Sequence, residues 1–232
     1  LQGMINREVC KEEHEYCCPR SFESAFDFLD VNRDQDNWLL HLECFDPHEP
    51  FNAPERFKTK YETGYKGPIF DWPRYKRSDE TELLTAEMKA NYAALVSMCD
   101  EYFGKLLSYF DTHNLWSDTA LVLTTDHGFM LDEHEWWGKN RMPFFNEIAN
   151  IPLLFYHPNY SDLSGSRRHA LTQVTDIMPT ILEMFNEPST PLIEGKSLIP
   201  LLSQDHKIRD AAMYGMFGAG TNVTDGKYTY FK

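Results

Sequence analysis

Asp126-His127-Gly128 sets a carboxylate and an imidazole on consecutive residues. Gly128 permits a tight turn, so both side chains can face one centre. One carboxylate oxygen with one imidazole nitrogen suits a divalent cation. Carboxylate-rich surroundings select calcium or magnesium, and further imidazoles select zinc or manganese. A purely local arrangement also satisfies the triplet, with Asp126 capping the turn and His127 bonded to backbone. Just downstream, Asp132-Glu133-His134-Glu135-Trp136-Trp137-Gly138-Lys139 crowds titratable groups and aromatics into one loop. Lys139 can carry its ammonium into a pocket as a point charge for an anion, or stay a solvated surface lysine. His48, between Pro47 and Glu49-Pro50, is a rigid-loop imidazole able to donate to an oxyanion or protonate a leaving group. Its plainer reading is a turn histidine with no chemical role.

Two other clusters point to less chemistry. The five cysteines, Cys10, Cys17, Cys18, Cys44 and Cys99, are too few for a disulfide scaffold and cannot all pair. A non-catalytic role is expected for all five. Asp30 to Asp36 opens like a calcium loop. Gln35 then stands where such a loop needs Gly, and His41 where it needs a bidentate Glu. Asn159-Tyr160-Ser161 and Asn222-Val223-Thr224 fit the glycosylation sequon, a pattern that chance produces often.

The elements that must position these groups follow from patterning. Ser21 to Leu29 fits an amphipathic helix, and Trp38 to Phe45 a strand stopped by Pro47 and Pro50. Residues 46–78 and 129–150 are long loops, uncommon in compact domains unless they serve a site. Asp79 to Leu115 repeats apolar residues at three- and four-residue intervals, from Leu84 and Met88 through Leu95, Val96 and Cys99 to Phe110. That predicts a helix capped by Ser78 or Asp79. Thr119 to Thr125 and Ile151 to His157 are short, apolar runs of the kind buried in parallel sheets. Val174 to Phe185 and Leu198 to Leu202 predict helix, and Met213 to Phe217 with Lys227 to Phe231 an antiparallel pair. The order gives an α/β fold with a mostly parallel sheet flanked by helices. Asp46-Pro47-His48 and Asp126-His127-Gly128 then fall at carboxyl ends of strands, where such sheets gather ligands.

Composition removes several classes. The chain has 232 residues, 42% hydrophobic and 25% charged, ordinary for a globular domain. With 22 Lys and Arg against 36 Asp and Glu, the net charge is −14. No basic surplus exists for a non-specific nucleic-acid binder. No apolar run reaches the roughly 18 to 20 residues of a membrane span. The chain opens on Leu1-Gln2-Gly3 with no visible leader.

Thr125 to Lys139, followed by Ile151-Pro152-Leu153-Leu154-Phe155-Tyr156, resembles the sulfatases of the alkaline phosphatase superfamily. Asp46-Pro47-His48-Glu49-Pro50-Phe51 resembles that family's Pro-His-x-Pro segment. Asp176 to Leu182 and Glu194 to Leu202 resemble its later signatures, and the likeness runs in the family's order over about residues 37–232. It implies an alkaline-phosphatase-like α/β core over residues 1–210, with the start of a C-terminal antiparallel subdomain at 211–232. It implies a metal-dependent sulfuric ester hydrolase, acting on a small-molecule or carbohydrate sulfate. Asp126 and His127 would be metal ligands, calcium in the usual case; Lys139 and His48 would contact sulfate and assist the leaving alcohol; His134 would line the pocket. The family's formylglycine nucleophile arises from Cys/Ser-x-Pro-x-Arg. Cys17-Cys18-Pro19-Arg20 lacks one residue of that motif. The chain is therefore expected to be an internal portion of the enzyme, inactive alone. The family leaning is to extracytoplasmic compartments. A phosphonate monoester or phosphodiester hydrolase of the same superfamily, with magnesium, manganese or zinc, is one alternative. A non-catalytic binding protein is another.

Overall fold

A computed structural model of the chain describes residues 8–141 and 143–232. It comprises two compact units, Leu1–Leu115 with Leu131–Gly138, and Trp116–Met130 with Lys139–Lys232.

Helices dominate the first unit. In α1 (Cys17–Asn32), Cys18, Phe22, Ala25 and Leu29 are buried, spaced four, three and four residues apart, which is one helical face. The short α2 (Glu55–Lys58) buries Phe57. The long periodic tract forms α3 (Glu82–His113). Its cap is Thr81, whose hydroxyl accepts the Leu84 N–H at 3.4 Å, a little inside the expected Ser78 or Asp79. Asn114 ends it in the left-handed region at φ 55°. Met88, Leu95, Met98, Leu106 and Phe110 are buried as the period requires. Val96 is 40% exposed, because it stands about 100° round the helix from Leu95, off the apolar stripe. α1 packs on α3 through Phe22 against Tyr102, with centroids 5.9 Å apart, and Phe26 stacked on Tyr109 at 5.5 Å. Burial alternates at every residue from Trp38 to Phe45, the period of a strand, although no ladder pairs this segment among the described residues.

In the second unit β1 (Leu121–Thr124) pairs with β4 (Leu153–Tyr156), Leu121 opposite Tyr156 and Thr124 opposite Leu153. Between them in sequence lie two-residue strands, β2 (Met130–Leu131) and β3 (Trp137–Gly138), and the four-residue α4 (Asn146–Ala149). The helix-and-strand mixture is the α/β class expected. The β1–β4 pairing is antiparallel, however, not parallel as the apolar runs suggested. A parallel neighbour needs a crossover helix to return the chain to the strand's starting end. Among the described residues the connection here holds only turns and short pieces, with no crossover helix. α5 (Ile177–Met184) follows a 3₁₀ turn at Val174–Asp176, and α6 (Ile199–Ser203) follows in turn. The two C-terminal strands expected to pair do not pair with each other: β6 (Thr221–Thr224) lies between β5 (Ala212–Gly215) and β7 (Thr229–Phe231), antiparallel to both. No described helix is long and apolar enough to cross a membrane.

Candidate active site

β1 stops at Thr124, and Asp126 and His127 sit in the turn just beyond it. Asp126 Oδ1 accepts the His127 backbone N–H at 2.8 Å and the Thr125 hydroxyl at 3.3 Å. His127 Nδ1 lies 2.9 Å from the Gly128 carbonyl. A carbonyl only accepts, so Nδ1 carries the hydrogen, and in the neutral ring Nε2 presents a lone pair. Nε2 stands 3.4 Å from Asp126 Oδ2. Local capping uses Asp126 Oδ1 and His127 Nδ1, so it does not compete with a role for Oδ2 and Nε2. A backbone-anchored Nδ1–H with a bare Nε2 is how metal-binding histidines are commonly held. At calcium–oxygen distances of about 2.4 Å, two donors at a right angle stand about 3.4 Å apart. The pair thus fits a divalent cation in chemistry and spacing. The Asp126 side chain is 80% exposed, so solvent and ligand can reach it. Among the described residues no third imidazole, thiol or carboxylate joins the pair.

The turn is locked by Gly128. Its N–H donates to Ile148 O at 2.8 Å, and a Cβ there would stand 1.8 Å from the Glu147 carbonyl oxygen. Gly128→Ala should push the turn off α4 and cost about 1–3 kcal/mol as overpacking. A thermal melt of that variant that matches the unsubstituted protein would show the close approach to be unimportant. In the same unit, Lys139 Nζ lies 5.9 Å from the Phe129 ring centroid, in cation–π range.

His48 and His134 belong to the first unit. The His48 ring stacks on Phe45 with centroids 4.4 Å apart. Its Nδ1 lies 2.6 Å from the Glu49 carbonyl and 3.4 Å from Glu49 Oε2. Glu49 is buried and accepts a hydrogen bond from the Tyr75 hydroxyl. The residue types alone did not single out Glu49 as the group that orients His48. Asp46, two residues earlier, accepts the Cys18 N–H on Oδ2 at 3.0 Å. Burial, with the Cys44 sulfur beside it, pushes its carboxyl up to about 6.

His134 is exposed, at the tip of a turn where Asp132, His134 and Glu135 all have positive φ. The turn is pinned at its base. Ser78 N–H donates to Glu135 O and Trp137 N–H to Lys76 O, both at 2.9 Å. The buried Trp137 indole donates to Glu80 at 2.8 Å. Gly138, at φ 106°, is pressed on Tyr75, where a Cβ would fall 2.6 Å from the ring. The part of the long loop before α3 thus braces the segment that leads into Lys139.

The chain matches the Sulfatase family model over residues 5–187, starting well upstream of residue 37. It is 25% identical over 210 residues to the multifunctional alkaline phosphatase superfamily protein PehA of Trinickia caryophylli, covering 78% of this chain and 40% of that protein. It is 29% identical over 170 residues to an N-acetylglucosamine-6-O-sulfatase of Bacteroides thetaiotaomicron, covering 69% and 29%. The chain therefore spans well under half the length of these relatives. Among solved structures, the phosphonate monoester hydrolase of Agrobacterium radiobacter superposes with a TM-score of 0.76 at 20% identity, covering 96% of this chain and 53% of that one.

Proposed function

The chain belongs to the sulfatase family, and from that premise we propose that it supplies part of an active site that hydrolyses sulfate esters of a carbohydrate or another organic alcohol. The observation that carries this reading is the Asp126–His127 pair, two ligand atoms 3.4 Å apart with the imidazole fixed in its ligating tautomer. A divalent cation bound there, calcium by family pattern, would polarise the ester and offset charge on the transferring group. Asp126 offers Oδ2 and His127 offers Nε2. Lys139 brings a fixed positive charge to a sulfate oxygen. His48 has Nδ1 committed to Glu49, so Nε2 is the atom that would meet the sulfate or return a proton to the departing alcohol. His134, at its exposed turn tip, would line the pocket. The attacking group in this reading is the family's formylglycine, and its Cys/Ser-x-Pro-x-Arg motif does not occur in the 232 residues.

The 232-residue chain alone is accordingly expected to turn over no aryl sulfate. A protein joining it to a segment with that motif is expected to show a higher kcat/KM for an aryl sulfate than for matched phosphonate monoesters and phosphodiesters. The reverse preference would replace this reading with a phosphonate or phosphodiester hydrolase. Turnover of none of these esters would replace it with a binding protein.

A further inference from the structure

We propose that Cys18, Cys44 and Cys99 form a buried thiolate site for a thiophilic d¹⁰ cation, Zn(II) above all. Their Sγ atoms all lie within 4.8 Å of one another. They come from three separate parts of the first unit: the first turn of α1, the Trp38–Phe45 segment and the middle of α3. All three are free thiols. Zn–S bonds of about 2.3 Å put the sulfurs of a tetrahedral shell about 3.8 Å apart. Small side-chain rotations therefore close the triad around an ion. Cys18 is 0% exposed and the other two are half-buried, so the site is of the closed kind that staples elements together. Three sulfurs select against calcium and magnesium, which take oxygen. A water would complete four-coordination. On binding, each thiol releases its proton to solvent and gives a lone pair to the ion.

The triad shares no residue with the Asp126–His127 pair and needs nothing of its proposed role. Cys44 is four residues before His48, so an ion here would anchor the segment that carries that histidine.

The test uses the reduced 232-residue chain with Zn(II) as the only added metal, in an Asp126→Ala background that removes the exposed pair. Competition with a chromophoric chelator should give one ion per chain. Zn(II) should raise the melting temperature, because it binds the folded state. It should also slow alkylation of Cys44 and Cys99, mapped by mass spectrometry, and a chelator should restore it, while Cys10 and Cys17 react alike in both. Cys44→Ala and Cys99→Ala should weaken binding beyond the roughly 10- to 100-fold that loss of an outer-shell partner costs. Cys10→Ala and Cys17→Ala should leave it unchanged. Unaltered binding in Cys44→Ala, or a disulfide within the triad in place of metal uptake, would overturn the proposal. If an alanine variant does not fold, the alkylation map of the chain with its cysteines intact decides.

Discussion

Asp126→Ala should lower kcat/KM for a sulfate ester by about 10³-fold in a protein that also carries the nucleophile segment. Stabilisation of developing charge by a bound cation is worth several kcal/mol, and each 1.36 kcal/mol is a decade in rate. On the proposed reading, removing Oδ2 would leave His127 Nε2 with half of the pair, too little to hold an ion in place. The loss should be chemical and not structural. The Asp126 side chain is 80% exposed, so truncation opens no cavity, and losing the hydrogen bonds to Oδ1 costs about 0.5–1.5 kcal/mol. Asp126→Asn separates the two roles of the residue. Its amide oxygen can still accept the His127 N–H, as Oδ1 does at 2.8 Å, but the negative charge is gone. Asn should therefore keep the turn and still lose most of the activity. A drop of less than about tenfold in the alanine variant, with a normal melting temperature, would remove Asp126 from the proposed metal site.

The residues with the strongest chemical character were legible because type and local spacing suffice. A carboxylate and an imidazole side by side before glycine can hardly avoid each other, and here Asp126 Oδ2 and His127 Nε2 stand 3.4 Å apart. α3 was legible because its period runs unbroken for 32 residues. Strand partnership was not, since an apolar run says that a strand is buried and nothing about the direction of its neighbour. β6 was hidden for a related reason. Thr221-Asn222-Val223-Thr224 lies among glycines and aspartates that read as turn, and it is a strand because β5 and β7 pair on both its sides. The cysteine triad is the extreme case. Positions 18, 44 and 99 have no spacing in common, and only the folding of α1, α3 and the Trp38–Phe45 segment onto one another brings their sulfurs together.

The largest stability effect should come from Asp176, whose side chain is 0% exposed. Its two oxygens accept the Gln173 N–H at 2.7 Å, the Lys196 N–H at 2.8 Å, and both terminal nitrogens of Arg209, Nη1 at 2.6 Å. One carboxylate thus ties the start of the 3₁₀ turn, the Gly195-Lys196 strand of loop and the arginine before β5. The approach is close enough that a Cβ on Gly195 would stand 1.9 Å from the Thr175 carbonyl oxygen. Asp176→Ala strands a guanidinium that is only 8% exposed, together with two backbone donors. Breaking a buried pair from one side costs about 3–5 kcal/mol. For a chain of this size that is a fall of about 6–20 °C in Tm. Arg209→Ala should be similarly severe, because it leaves the buried carboxylate without its cation. The double variant distinguishes a true pair from two unrelated losses. With neither charge left to strand, it should be less destabilised than the sum of the singles by an amount within the roughly 0.5–3 kcal/mol seen for contacting residues. Strict additivity in urea unfolding would mean that each side chain is held by its other hydrogen bonds and that the pair itself contributes little.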